Sequence, residues 1–229
     1  MTTVLKIGGT LLDDPVKAAG AIQAKLTGPA VVVHGGGKQI TRMLERMNAE
    51  SRFIDGLRVT DEHTLHVVSL ALLGEVHANL VQAMQTAQLP AVGLFGAVQA
   101  QRREGPWGLV GSAVKTDAAS LKALLQAGKI PVIPTLATSF GSLLNVNGDE
   151  TAAALAVDLG ARRLIFLTDV PGVQDETGGV IDRPRDVDQL LNSSFVSGGM
   201  LPKLRAVKAA LGGGVRQVSV GQTVFEVGL

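Results

Sequence analysis

Two glycine runs, each closing an apolar segment, are the parts of this chain best suited to chemistry: Val31-Val32-Val33-His34-Gly35-Gly36-Gly37 and Val4-Leu5-Lys6-Ile7-Gly8-Gly9-Thr10. Residues without side chains let backbone N–H groups come close to a phosphate or carboxylate, and a helix following from Lys38 adds the positive end of its dipole. Each run is therefore a candidate anion cradle, with a ligand-free strand-to-helix turn as the alternative. Two cradles at strand ends predict one shared crevice. Lys6 stands just before the first glycine pair. A second lysine, Lys203, follows Ser197-Gly198-Gly199-Met200-Leu201-Pro202 in the first turns of a helix with Leu204, Val207 and Leu211 at helical spacing. A cation there opposes the helix dipole, which favours a functional reading over a purely structural one. Asn145-Val146-Asn147-Gly148-Asp149 precedes an alanine-rich run from Glu150 to Leu159, so Asn147 or Asp149 is placed to cap a helix. Three such side chains exceed what one cap requires, leaving one to orient a catalytic cation. Thr168-Asp169-Val170-Pro171-Gly172-Val173 closes another apolar run with polar residues and a turn, at the strand end where open α/β sheets bind ligands.

The elements that must position these residues alternate in type. Short β-branched runs predict strands near Thr3 to Ile7, Ala30 to Val33, Ala91 to Phe95, Pro131 to Thr135, Arg163 to Leu167 and Gln217 to Val220. Helical patterns such as Pro15 to Leu26 and Ala118 to Ala127 are long enough for right-handed crossovers between parallel strands. From Asp61 to Met84, Leu65, Val68, Leu72, Val76, Leu80 and Met84 recur at helical spacing, giving a long amphipathic helix that faces either the core or a symmetry mate. His63, His66 and His77 on it read as packing or surface residues, since the helix lacks a nearby pair of acidic partners at metal-site spacing. Gly105 to Gly111 and Asp175 to Asp182 read as hairpins or surface loops.

Composition narrows the function classes. With 229 residues and 46% hydrophobic residues, the chain can bury one substantial core or two small lobes. A formal net charge of +1 offers no electrostatic footprint for nucleic acid or an anionic membrane, so small ligands are the expected partners. The absence of cysteine excludes disulfides, thiolate metal sites and a cysteine nucleophile, and fits a cytoplasmic location. No uninterrupted apolar stretch approaches the ~18 residues of a membrane helix. No metal site is expected.

The order of segments resembles the amino acid kinase family over nearly the whole chain. The pieces are KIGGTLL at Lys6, VVVHGGGKQI at Val31, FIDGLRVTD at Phe53, AVGLFG at Ala91, IPVIPTLA at Ile130, LLNVNGDETAAALA at Leu143, LIFLTDVPGV at Leu164 and SGGMLPKLRA at Ser197. The GLRVTD and NVNGD segments point to its acylglutamate branch. The resemblance implies a three-layer α/β/α sandwich around a mainly parallel open sheet. It also implies an acyl-substrate lobe over 1–144 and a nucleotide lobe over 145–229. The implied activity is ATP-dependent phosphorylation of the side-chain carboxylate of N-acetyl-L-glutamate in arginine biosynthesis, with Mg²⁺ held mainly through nucleotide phosphates.

The residue roles carried by the resemblance follow position by position. Lys6 matches the lysine on the phosphoryl group in flight, Lys203 the lysine on the nucleotide phosphates, and Asp149 the acid holding both. Gly8 and Gly9 match glycines beside those phosphates, while Gly36 and Gly37 match glycines whose amides meet the acyl substrate. Arg58 resembles the residue gripping the substrate's other carboxylate, and Asn145 the one binding its α-amido group. Thr168, Asp169 and Val173 resemble the wall of the adenine and ribose pocket, with Gly199 beside it.

The chain departs from the family pattern in three places. It closes soon after Val220, the region after Phe95 is compressed, and no helical extension precedes Thr3. The last departure implies a homodimer without arginine feedback. Two further readings stay open: a kinase of carrier-protein-linked aminoadipate or glutamate, and a non-catalytic amino-acid or nucleotide sensor.

Overall fold

The computed structural model describes residues 1–227, with Ala113 described by its backbone alone. Its first half runs β1 (Thr3–Ile7), α1 (Pro15–Gln23), β2 (Ala30–His34), α2 (Gly37–Arg46), β3 (Phe53–Ile54), β4 (Leu57–Arg58), α3 (Glu62–Ser69), α4 (Ala78–Thr86), β5 (Ala91–Gly93) and β6 (Val98–Arg102). The second half runs β7 (Val110–Thr116), α5 (Ala118–Gln126), β8 (Ile130–Pro134), β9 (Leu136–Ser139), β10 (Ser142–Val146), α6 (Gly148–Asp158), β11 (Arg163–Leu167), α7 (Val187–Leu191), α8 (Met200–Gly212), β12 (Gln217–Val220) and β13 (Thr223–Glu226).

Seven strands form one sheet in the order β13-β12-β11-β1-β2-β8-β5, parallel except for the β12–β13 edge pair. Register is what gathers the ligand loops. Ile7 lies opposite both His34 and Leu167, so β1, β2 and β11 end level. Gly8-Gly9, Gly35-Gly36-Gly37 and Thr168-Asp169 therefore leave the sheet along one edge, as a parallel sheet requires of its strand–helix junctions.

Strand parity then sorts the side chains between two faces. Leu5, Ile7, Val32 and Ile165 pack under α1 and α4, while Val4, Val31, Val33 and Phe166 pack under α6 and α8. Lys6 shares the parity of Val4, which sends its side chain toward α6 and α8.

The elements match the expected alternation with small shifts: α1 stops at Gln23, β5 stops at Gly93 and β8 spans Ile130–Pro134. Two larger features depart from it. The long helix is continuous from Glu62 to Thr86, but its middle, Leu70–His77, winds as a π-helix. One 18-residue window of this helix is long and apolar enough for a membrane span by length and composition alone, yet Val67, Val68, Ala71, Leu72, Val76, Leu80 and Met84 are buried in the protein core. The second departure is a closed barrel of β6, β7, β9 and β10. Val110 and Gly111 belong to its strand β7, not to the preceding loop. Gly111 is required there, since a Cβ would sit 2.8 Å from both Ala100 Cβ and Val146 Cγ1.

Candidate functional site

Asp149 occupies the first turn of α6, but the capping is done by Asn147, whose Oδ1 accepts from the N–H groups of Asp149 at 2.9 Å and Glu150 at 3.0 Å. The Asp149 carboxylate is thereby released to the inner side of the helix, where it is 6% exposed. Lys6 Nζ reaches its Oδ1 at 2.8 Å, and Lys203 Nζ reaches Oδ1 and Oδ2 at 3.2 and 3.1 Å. Lys203 Nζ also lies 5.1 Å from the centre of the Phe166 ring, an additional electrostatic attraction for a buried ammonium. Burial opposes ionisation of Asp149, but the two ammonium groups outweigh it and hold the carboxyl below its ordinary range. Burial loosens the Lys203 proton, with Asp149 opposing. One carboxylate between two ammonium groups leaves a net charge of +1, which calls for an anion.

Two cavities meet at Lys6, Gly8 and Gly9. One of about 660 Å³ is lined by Gly36, Gly37, Arg58, Asn145 and Asp149. The other, of about 450 Å³, is lined by Thr168, Asp169, Val173, Gly199 and Lys203. All thirteen residues singled out in the sequence thus border one cavity or both. Val173 takes part differently from the rest: it is fully buried and its N–H donates to Thr223 Oγ1 at 2.8 Å, so it supplies apolar floor and no free backbone donor. Neither α2 nor α8 has a side-chain cap, which leaves first-turn N–H groups of α2 available to an anion; in α8 the Met200 N–H donates to Ser197 O at 3.2 Å and Pro202 has none, so Leu201 supplies the free first-turn donor there.

Arg58 is 6% exposed. Its Nη2 donates to Gly37 O at 3.0 Å and Thr41 Oγ1 at 2.9 Å, its Nη1 donates to Ser51 Oγ, and the guanidinium lies 4.7 Å from the Phe53 ring centre. Burial lowers its pKa to about 10, so it stays charged at neutral pH. Asn145 Nδ2 donates to Thr60 Oγ1 at 3.1 Å, which donates to Arg58 O at 2.8 Å, linking the two residues through one hydroxyl. Across the second cavity, Asp169 accepts from Thr10 Oγ1 at 2.7 Å. Gly9 passes beside it with φ +68°, where a Cβ would lie 3.1 Å from the carboxylate.

The sequence profile of the amino acid kinase family matches residues 1–222. The chain belongs to that family. Acetylglutamate kinase from Methanopyrus kandleri is 39% identical over 95% of this chain and 93% of its own. Among solved structures, a protein of Streptococcus mutans superposes with a TM-score of 0.88 at 29% identity, covering 98% of both chains. N-acetylglutamate synthase from Neisseria gonorrhoeae, solved with coenzyme A and N-acetyl-glutamate, superposes with a TM-score of 0.88 at 25% identity, covering all of this chain and 60% of that one.

This amino acid kinase also has functional neighbours that residue reading missed. Trp107, in the β6–β7 hairpin, donates from Nε1 to Ile54 O at 3.1 Å and so pins the β3–β4 flap that carries Arg58. Thr10 is the partner of Asp169, and a threonine directly after a glycine pair was the available signal. His34 is completely buried, and burial lowers its pKa to about 3. An unfolded chain takes up that proton as the pH falls below about 6.5, whereas the folded protein does not until about pH 3. Stability should therefore fall with acidification across that window, by about 2 kcal/mol between pH 7 and pH 5 from this group. Urea unfolding of the wild type and His34→Gln at both pH values checks it, since the variant lacks this contribution to the slope. Equal slopes would show that His34 takes up its proton in the folded state.

Proposed function

We propose that this chain transfers the γ-phosphoryl group of ATP to the side-chain carboxylate of N-acetyl-L-glutamate, forming an acyl phosphate in arginine biosynthesis. The observation that carries the reading is the pair of ammonium groups on Asp149 at the meeting point of the two cavities. Phosphoryl transfer to a carboxylate brings two anions together, so its catalysis rests on positioning and on neutralising charge. Lys6, on the wall common to both cavities, faces the migrating group; Lys203 faces the nucleotide phosphates. Asp149 holds both cations in place.

In this reading the nucleotide enters against Gly8, Gly9, Thr168, Asp169, Val173 and Gly199. Mg²⁺ arrives with it, held by phosphates and water, as this hard ion usually is. Both Asp149 oxygens are already engaged by ammonium groups, so that carboxylate orients lysines and is not a metal ligand. The acceptor lies in the larger cavity, with its reacting carboxylate at the Gly36 and Gly37 amides, its second carboxylate on Arg58 and its amide at Asn145. The lobes divide near residues 144 and 145. The rim of the acceptor cavity is of mixed sign, with Arg42 held to Asp13 at 2.7 Å and Glu45 beside it, which favours a small acceptor over an acidic carrier protein. A cytoplasmic homodimer paired through the outer face of the long helix, where Leu70 is 45% exposed, completes the proposal.

Incubation with Mg-ATP and N-acetylglutamate should release ADP and give a hydroxamate when hydroxylamine is present, because hydroxylamine traps acyl phosphates. Release of ADP only with N-acetyl-aminoadipate or a carrier-linked substrate would move the acceptor assignment, and no ADP with any acceptor would favour a sensor. Arg58→Lys should raise the apparent KM for the acceptor about tenfold or more with little change in that for ATP, since a three-donor ammonium cannot keep the contacts to Gly37 O, Thr41 Oγ1 and Ser51 Oγ and still present a charged donor to a carboxylate. An unchanged constant removes Arg58 from the acceptor site.

A further inference from the structure

His34 and His77 are absorbed by none of the roles above. His34 is the last residue of β2, with Nδ1 3.0 Å from Gly35 O and Nε2 2.9 Å from Nδ1 of His77. A carbonyl only accepts, so the first contact assigns the His34 proton to Nδ1. His34 Nε2 is then bare and accepts from His77 Nδ1–H. The ring centres are 5.1 Å apart, and burial keeps both rings neutral at ordinary pH.

The Gly35 carbonyl shares a rigid plane with the N–H of Gly36, and in a trans peptide the two point in opposite directions. Holding the oxygen on the histidine side therefore turns the Gly36 N–H away from it. Gly35 cannot drift along the loop either, because its own N–H donates to Ile7 O at 3.1 Å. The other supports come from the π-wound segment. A Cβ on Gly36 would lie 2.8 Å from Leu72 Cδ2 and 3.3 Å from Val76 Cγ2. Leu72, Val76 and His77 all belong to that one widened turn region, and such turns inside α-helices recur where a helix serves a site.

We infer that His77 and His34 form a two-ring relay that fixes the Gly35–Gly36 peptide plane and so aims the Gly36 N–H at the acceptor carboxylate. Both are positioning residues and neither touches substrate. The inference rests on the glycine loop being the acceptor cradle. Asparagine at position 77 keeps an amide N–H near the place of Nδ1–H, whereas leucine keeps bulk and supplies no donor.

His77→Leu should lower kcat/KM for the acceptor by about tenfold, part of the ~10² to 10³ attributed to one preorganised donor, while the KM for ATP stays within twofold. His77→Asn should recover most of the loss. Nitrogen-15 spectra of the histidine rings give a readout independent of turnover, with His34 expected to carry its proton on Nδ1. A proton on Nε2, or acceptor kinetics in His77→Leu equal to the wild type, overturns the relay. A wild type that phosphorylates no acceptor overturns the functional reading and leaves the relay to be decided by the ring spectra.

Discussion

Lys203→Ala lowers the rate of ADP release about 10²- to 10³-fold while the protein stays folded, and Lys6→Ala does the same, the scale expected when one preorganised donor to a developing charge is removed. Folding survives either single change because Asp149 keeps one ammonium within hydrogen-bond distance, at 2.8 Å in one case and 3.1 Å in the other. The two losses differ in kind. Lys203 lines the smaller cavity with Thr168 and Asp169, so its loss should also raise the KM for ATP. Lys6 stands on the shared wall, so its loss should fall mainly on kcat. Removing both lysines strands a carboxylate that is 6% exposed, and the double variant should therefore be far less stable than the sum of the singles. Turnover within tenfold of the wild type in both single variants would overturn the assignment of the pair.

Asp149→Asn is expected to act on stability as strongly as on rate. It leaves two largely buried ammonium groups facing an uncharged amide, and breaking a buried ion pair on one side costs about 3 kcal/mol or more. For a domain of this size that is a fall in Tm of about 6–12 °C. The sign of the pH dependence follows from Lys203, whose proton burial already loosens. The penalty is fully present at neutral pH and is relieved as the pH rises toward the lysine range and Lys203 becomes neutral. Inorganic tripolyphosphate should raise the Tm of the variant more than that of the wild type, because the site now carries two uncompensated positive charges in place of one. Equal Tm values for variant and wild type, without ligand, would mean that the carboxylate does not organise the lysines.

How much of this was legible in sequence depended on how local each cause is. The strand–glycine junctions at Ile7 and His34 were readable, because a β-branched run ending in glycines needs no distant partner to be recognised. The direction of Lys6 follows from its parity with Val4. Asp149 was ambiguous, since capping and cation holding both suit an aspartate at a helix start; only the bonds from Asn147 to the α6 amides separate them. The barrel was not readable. Its closing contacts include a short parallel pairing of β10 with β7 and the single β6–β9 register of Gln99 with Thr138, and strands of four to seven residues leave little periodicity to detect. Trp107 escaped for the same reason, its partner Ile54 lying 53 positions away. Nor does a repeat of 3.6 residues foretell a π-wound segment, since Leu72 and Val76 keep helical spacing through it.

The wall of Lys6, Gly8 and Gly9 that both cavities share has a use in inhibitor chemistry. A single molecule joining adenosine, through a chain of phosphates, to the side-chain carboxyl of an acylated glutamate would run along that wall and place one half in each chamber. Such a chimera loses translational freedom once where two separate ligands lose it twice, so its affinity should exceed that of either fragment by several orders of magnitude.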